Sequence, residues 1–281
     1  GELRLLPLMA FTILLCYVCG LGIERSRKRK KLWLLASIVI SVGLLGGFKY
    51  ADFFIGSLNT VTGLKIPLLH LALPVGISFY TFQCLSYPID VYRGSVPAQK
   101  NLINFGAYVA LFPQLIAGPI VRYADIAREL EHREHSWDNA AAGLRRFLVG
   151  LGKKLILANW LGMLFQTLCQ ADTGTYSLML VWLGAFAQLM TLYLELSGYA
   201  DMAIGLGLCY GVRLPESFGK SLFYPSMAAF ADQWNRTVVQ WFSHYVGTHF
   251  RGKNHFLYLF AMLATWGCIG LWYGFRLPSD C

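Results

Sequence analysis

Charge is what this chain has least of. Only 14% of its 281 residues are Asp, Glu, Lys or Arg, against about 25% in a soluble globular domain. Acids are the scarcer sign, 15 against 24 bases. That excludes an ordinary water-solvated surface. Also missing are a glycine-rich phosphate cradle, zinc-ligand spacing, an internal repeat and a low-complexity tract, so the residues offer no nucleotide-hydrolysing loop, structural metal or solenoid. Neither a metal site nor a permanently bound cofactor is expected. Seven cysteines are present, mostly within apolar stretches; Cys16 and Cys19 have redox-motif spacing, but in an apolar helix they read as small packing residues.

What the chain has instead is long apolar runs. Hydrophobic residues make up 56% of it, and mean hydropathy is +0.49. Windows at residues 5–23, 32–48, 66–89, 101–121, 155–171, 173–194 and 254–275 carry almost no charge, and a bilayer takes roughly 17–25 residues per helix. These windows predict an all-α, polytopic transmembrane bundle of five to eight spanning or re-entrant helices. The expected organisation is a single membrane-embedded domain over residues 1–281. From Gly1 at the start and the short tail after the last window, the expectation is a fragment lacking flanking helices at both ends. The long first run, followed by bases, does not read as a cleavable signal.

The net charge of +9 invites a nucleic-acid reading, but its densest block is Arg25-Ser26-Arg27-Lys28-Arg29-Lys30-Lys31, between two apolar runs. Positive-inside topology accounts for that placement, so the expected surroundings are lipid and not nucleic acid. With this loop cytoplasmic, Arg93, Lys100, Arg122, Arg128, Arg133, Arg145, Arg146, Lys153 and Lys154 fall on the same side. Residues 51–64 read as an amphipathic or interfacial connection. Pro74, Pro88, Pro113 and Gly118-Pro119 interrupt the third and fourth windows, predicting broken or re-entrant paths. Residues 125–137 form the one strongly charged helix candidate, on the surface. His132 and His135 there have a spacing that suits a metal, but without a further ligand they read as solvated residues.

Between Glu195 and Trp241 the apolar runs give way to a polar passage that includes Asp201, Asp232, Trp234, Asn235 and Arg236. Polar groups at membrane depth are costly, so such a passage marks a site. Residues 230–242 have helical spacing, with Trp234, Val238, Trp241 and Tyr245 on one stripe and Asn235 on the next. The Asn235 amide has two readings: a donor to an oxyanion or reacting hydroxyl, or a capping or interhelical amide. Asp201 likewise has two readings: part of a passage, or a cap near the start of a helix. Gly205 and Gly207 suit close helix packing; Gln83, Ser86 and Tyr87 suit interhelical hydrogen bonds.

Four blocks, in order, carry a resemblance. They are Pro74-Val75-Gly76-Ile77-Ser78-Phe79-Tyr80-Thr81-Phe82-Gln83-Cys84-Leu85-Ser86-Tyr87 with Ile89-Asp90-Val91-Tyr92-Arg93-Gly94; Phe112-Pro113-Gln114-Leu115 with Gly118-Pro119 and Arg122-Tyr123; Leu196-Ser197-Gly198-Tyr199-Ala200-Asp201-Met202; and Gly211-Val212-Arg213-Leu214-Pro215-Glu216-Ser217-Phe218. Together they resemble the membrane-bound O-acyltransferases, specifically the bacterial alginate O-acetylation branch. The resemblance implies an inner-membrane, multi-pass acyltransferase. It would take an acyl group, acetyl above all, from acetyl-coenzyme A or another acyl-coenzyme A at a cytoplasmic opening. It would deliver that group toward a polysaccharide or a periplasmic acetyltransferase partner.

The resemblance also implies two catalytic positions. One is Asn235, after Trp234, where the family has His or Asn. The other is a His in Leu-Trp-His-Gly, which reads Leu271-Trp272-Tyr273-Gly274 here. Tyr, with a pKa near 10, is a poor general base where neutral His suits the task. Tyr273 remains able to donate to an oxyanion or bind a hydroxyl. Glu195, Ser197, Asp201, Trp234, Arg236 and Trp272 are the candidates for the acyl-donor passage, and Arg122 and Arg213 suit donor phosphates or membrane anchoring. His70, His244, His249 and His255 read as structural or interfacial; His255 is about 27 Å of helical rise from Tyr273. Two further readings stand beside the enzyme. One is a catalytically impaired scaffold of a polysaccharide-modification complex, motivated by Tyr273. The other is a transporter, which internal pseudo-symmetry would favour.

Overall fold

The computed structural model describes residues 6–26, 28–71, 76–115, 118–131, 133, 135–170, 177–219, 224–247 and 255–273; of Trp272 and Tyr273 it describes the backbone alone. Pro74 and the second histidine of the 244/249 pair lie outside these residues, as does His132. Every regular element among the described residues is helical. The chain divides into two compact units, Gly1–Ile116 with Arg122–Glu131, and Ala117–Val121 with His132–Cys281.

In the first unit α1 (Leu6–Arg25) packs against both α2 (Lys30–Thr62) and α3 (Ile77–Arg93). Cys16, Cys19 and Ile23 form the buried face of α1, and Cys16 lies 3.8 Å from the Ser41 hydroxyl. The cysteines here are free thiols. α2 runs without a break to Thr62, so residues 51–62 continue a 33-residue helix and are not a separate interfacial connection. That window lacks a proline, and the left-handed Gly63 at φ 73° ends the helix. Residues 64–71 are irregular, so helix α3 starts at Ile77 and not at the head of the apolar window.

α3 runs through Pro88 without the break expected there, whereas the chain does break around Pro113. α4 (Leu102–Val109) has 8 residues and α5 (Phe112–Leu115) has 4, with Pro113 in the latter. Asn101 caps α4 by accepting from the Ile103 amide at 2.9 Å. Tyr87, Phe105, Tyr108 and Tyr123 stack in the core, the Tyr87 and Phe105 ring centres 4.5 Å apart. The Tyr87 hydroxyl accepts from the Gln99 amide, and Ser86 lies 3.2 Å from the Tyr108 hydroxyl. Ser86 therefore ties α3 to α4, Tyr87 holds the loop between them, and the Gln83 side-chain amide has no partner among the described residues. α6 (Tyr123–Glu131) stops six residues short of the end of the expected charged helix, and Arg122, just before it, pairs with Asp125 at 2.7 Å.

In the second unit α7 (Trp137–Gly152) continues through a π-helical segment, Lys153–Ala158, into α8 (Asn159–Gln170). Ser136 starts this run by accepting from the Asn139 amide at 3.1 Å. α9 (Leu178–Cys209) returns alongside α7 and α8, followed by α10 (Met227–Gln233), α11 (Arg236–Tyr245) and α12 (His255–Tyr273), the last packed on α11. Among the described residues four helical runs are long and apolar enough to cross a membrane: Leu6–Arg25, Lys30–Thr62, Trp137–Gln170 and Leu178–Cys209. Their exposed Leu, Val, Ile and Phe side chains suit a lipid surrounding. The fold is an all-α membrane bundle.

Candidate functional site

Glycine and charge alternate along the two facing helices of the second unit. On α7 and the start of the π-helical segment the stripe is Gly143, Arg146, Gly150 and Lys153; on α9 it is Glu195, Gly198, Asp201 and Gly205. These spacings of three and four keep each set on one helical face. A Cβ added at Gly150 would come 2.6 Å from the Gly198 carbonyl oxygen, and one at Gly198 would come 2.9 Å from that of Gly150. The backbones touch, and the charged side chains are thereby brought within bonding distance.

Arg146 Nη2 lies 2.9 Å from Asp201 Oδ1 and also pairs with Glu216. Lys153 Nζ lies 2.6 Å from Asp201 Oδ2. Lys154 pairs with Glu195. Two consecutive lysines reach acids on one neighbouring helix because the π segment begins at Lys153: i→i+5 bonding puts more residues in each turn, so successive side chains diverge less than in an α-helix. Asp201 is 16% exposed and accepts from both Arg146 and Lys153, which offsets the desolvation of a carboxylate in a membrane-length helix.

α9 ends in a turn that folds the chain back over this cluster. Gly211, at φ 75°, takes the left-handed position, and the Val212 amide donates to the Gly207 carbonyl at 2.8 Å, closing the turn characteristic of glycine helix ends. The return segment carries Glu216 to Arg146 and then docks on the α10–α11 junction. The Arg236 amide donates to the Ser217 carbonyl at 2.6 Å, Gly219 to that of Gln233 at 3.1 Å, and the Ser217 and Thr237 hydroxyls are 3.2 Å apart. At the junction itself Asn235 has φ 45° and ψ 54°, a left-handed conformation that Asn tolerates better than most residues. Residues 230–242 are therefore not one helix: α10 stops at Gln233 and α11 starts at Arg236.

These elements enclose a cavity of about 570 Å³, lined by Tyr193, Ser197 and Asp201 of α9, Arg146 and Lys153, Glu216 to Gly219, Gln233 and Arg236. That volume suits a small-molecule ligand. Tyr193, Phe218, Trp234 and Phe230 stack into one aromatic wall, with ring centres 5.5 to 5.8 Å apart. Trp234 braces the two lining rings from behind. Ser197 is 2% exposed, and its hydroxyl has no partner among the described residues.

The model of the membrane-bound O-acyltransferase family matches residues 93–278, a stretch that includes the whole cavity. A probable alginate O-acetylase, AlgI, of Pseudomonas aeruginosa is 40% identical over 257 residues, 86% of this chain and 47% of that protein. The chain belongs to the membrane-bound O-acyltransferase family. A peptidoglycan O-acetyltransferase of Helicobacter pylori is 30% identical over 87% of the chain and 52% of its own length. A teichoic acid D-alanyltransferase of Bacillus subtilis is 24% identical over 63% of the chain and 45% of its own length. The chain spans about half the length of these curated relatives.

Within this family member, the residues singled out from sequence divide into three groups. Ser197, Asp201 and Arg236 line the cavity; Glu195, Trp234 and Asn235 do not. Trp272 and Tyr273 are the last two residues of α12, and their side chains are outside the described set. Asp201 is no helix cap: α9 begins at Leu178, 23 residues earlier, and runs through Glu195 without a break. Asn235 precedes α11, but its side chain makes no capping bond; its carbonyl accepts from Val238 and Val239. Gly205 packs against Gly143, as the packing reading of that glycine has it, and Gly207 lies against the Val212 carbonyl.

Sequence reasoning missed Arg146, Lys153, Glu216, Tyr193 and Gln233 as cavity residues. A signal for the first two was present. Arg146 and Lys153 are seven residues apart, two helical turns, and face an apolar helix that carries two acids. Assigning them to a cytoplasmic rim hid the pairing that charges in a membrane-length helix demand.

Proposed function

We propose that this chain is part of a membrane-embedded acyl-transfer unit in a bacterial inner membrane. It moves an acyl group, acetyl above all, from a cytoplasmic acyl-coenzyme A toward a cell-surface polysaccharide or a periplasmic acetyltransferase partner. The observation that supports this reading best is the charged, aromatic-walled cavity that α9, the return segment and the α10–α11 junction form with Arg146 and Lys153, in a chain 40% identical to a probable alginate O-acetylase. No metal and no permanently bound cofactor enters the scheme. The donor thioester is the substrate.

Transfer to a hydroxyl needs three things: a held thioester, a donor aimed at the carbonyl oxygen as it gains charge, and a group that takes the hydroxyl proton as the new C–O bond forms. The C–S bond then breaks, and the thiolate leaves with a proton. In this proposal Ser197, Asp201 and Arg236 belong to the donor passage, with Glu195, Trp234 and Trp272 shaping it. The Asn235 amide orients the oxyanion or the acceptor. Tyr273 occupies the base position, where a phenol acts weakly unless its pKa is strongly lowered.

The test is polysaccharide acetylation in cells that carry the full-length protein as Asn235→Ala or Tyr273→Phe. Loss in either supports the assignment; unchanged acetylation in both removes these residues from the mechanism. Tyr273 also favours a second reading, a catalytically impaired scaffold that recruits a polysaccharide-modifying partner. Vigorous transfer by purified wild-type protein eliminates it.

A further inference from the structure

The cavity wall holds three cations, Arg146, Lys153 and Arg236, and two acids, Asp201 and Glu216. The two acids are already taken: Arg146 bonds both, and Lys153 bonds Asp201. Arg236 has only a backbone bond, from its amide to the Ser217 carbonyl, and its guanidinium has no partner among the described residues. A second unclaimed donor shares the cavity. The Ser197 hydroxyl is 2% exposed and unbonded among the described residues, and a buried hydroxyl left without a partner is destabilising.

From this pairing we infer that the cavity contains an oxyanion subsite, with Arg236 supplying the charge and Ser197 a neutral donor. A planar guanidinium matches the two oxygens of a carboxylate or phosphate, and the two carboxylates that line the cavity, Asp201 and Glu216, are bonded to Arg146 and Lys153. A neutral hydroxyl ligand would satisfy Ser197 and leave the guanidinium unmatched. A free ion would fill little of about 570 Å³, so the oxyanion is one carried by a larger molecule. Two sources have that chemistry: a phosphorylated acyl donor and the carboxylate of a uronic-acid acceptor.

The inference builds on the acyl-transfer reading, but its test does not depend on turnover. Coenzyme A and a uronate trisaccharide are titrated calorimetrically against the full-length protein in nanodiscs, as wild type, Arg236→Gln, Arg236→Lys, Ser197→Ala and Lys28→Gln. The last removes a charge from the exposed turn between α1 and α2. For at least one probe the Kd is expected to rise tenfold or more with Arg236→Gln and severalfold with Ser197→Ala. Arg236→Lys should restore it in part, and Lys28→Gln should leave it unchanged. Loss of coenzyme A binding assigns the subsite to the donor, and loss of uronate binding to the acceptor.

Failure of wild type to bind either probe, or a Kd moved less than twofold by both Arg236→Gln and Ser197→Ala, overturns the inference. So does an equal loss with Lys28→Gln. Ser197→Ala removes one oxygen, so it keeps the test decisive if Arg236→Gln does not fold. Binding that depends on Arg236 in a protein without acyl transfer would sink the proposed function and leave the subsite standing. Transfer without that dependence would do the reverse.

Discussion

Gly143 and Gly205 leave no room for a side chain between them: a Cβ built on either falls 2.5 Å from the carbonyl oxygen of the other. The contact is backbone on backbone, so no rotamer change relieves it. Gly205→Ala or Gly143→Ala is therefore expected to push α7 and α9 apart, at about 1–3 kcal/mol, and to lower the melting temperature of the purified protein. Gly152→Ala, in the same helical run with nothing within 4 Å of the added carbon, should be neutral or stabilising by up to about 1 kcal/mol. Equal melting temperatures for the Gly205 and Gly152 variants would refute the close contact.

The two acids of α9 should differ in weight. Asp201→Ala strips Arg146 and Lys153 of a shared partner that is 16% exposed, with an expected loss on the order of 3 kcal/mol. Glu195, 37% exposed beside Lys154, belongs to the screened class worth about 1 kcal/mol or less. Thermal denaturation of the two variants in one detergent gives the ranking. If Glu195→Ala proves the more damaging, the cluster is not held together at Asp201.

Asn235 joins two properties that substitution can separate. Its backbone is left-handed, which costs Ala about 1–2 kcal/mol and Gly nothing comparable. Asn235→Gly should therefore keep near wild-type stability, and Asn235→Ala should not. On the proposed role of the amide, both lose acetyl transfer by about 10² or more. A fully active Asn235→Gly variant would show that the position is needed for its bend alone.

Tyr273→His bears on the remaining catalytic position. A neutral imidazole at the end of α12 is expected to raise acetyl transfer by about 10²- to 10⁴-fold, the usual range for a general base, measured as acetyl release from donor in the full-length protein. A rate that stays flat would mean that the proton leaves by another route.

The helical class and much of the helix order were legible because apolar runs of membrane length have few other uses. The breaks at Pro113 and Gly118-Pro119 were legible for the same local reason. What the residue pattern hid was where polar character coincides with helix. Glu195 and Asp201 read as the end of an apolar run, yet α9 passes straight through them, because acids paired with Arg146, Lys153 and Lys154 no longer oppose the helix. The reverse happened at Trp234 and Asn235. There a good helical stripe is cut by a backbone bend that docking of Ser217 and Gly219 supports, a contact no local pattern encodes. Ser197, Asp201 and Arg236 could be picked out as polar residues in an apolar context, whereas Glu216 became a cavity residue only through the turn at Gly211.

The matched charges of α7 and α9 also bear on how the protein is made. Alone, α9 presents Glu195 and Asp201 to the membrane, and the helix run of Arg146 presents their three partners, Arg146, Lys153 and Lys154; on insertion scales an uncompensated charge at mid-helix costs about 2.5–3.5 kcal/mol. Paired, most of that cost disappears before either helix meets hydrocarbon. The natural unit of insertion is then the hairpin, Trp137 to Cys209, released sideways as one body, and a ribosome stalled before α9 emerges should leave its partner waiting at the translocon.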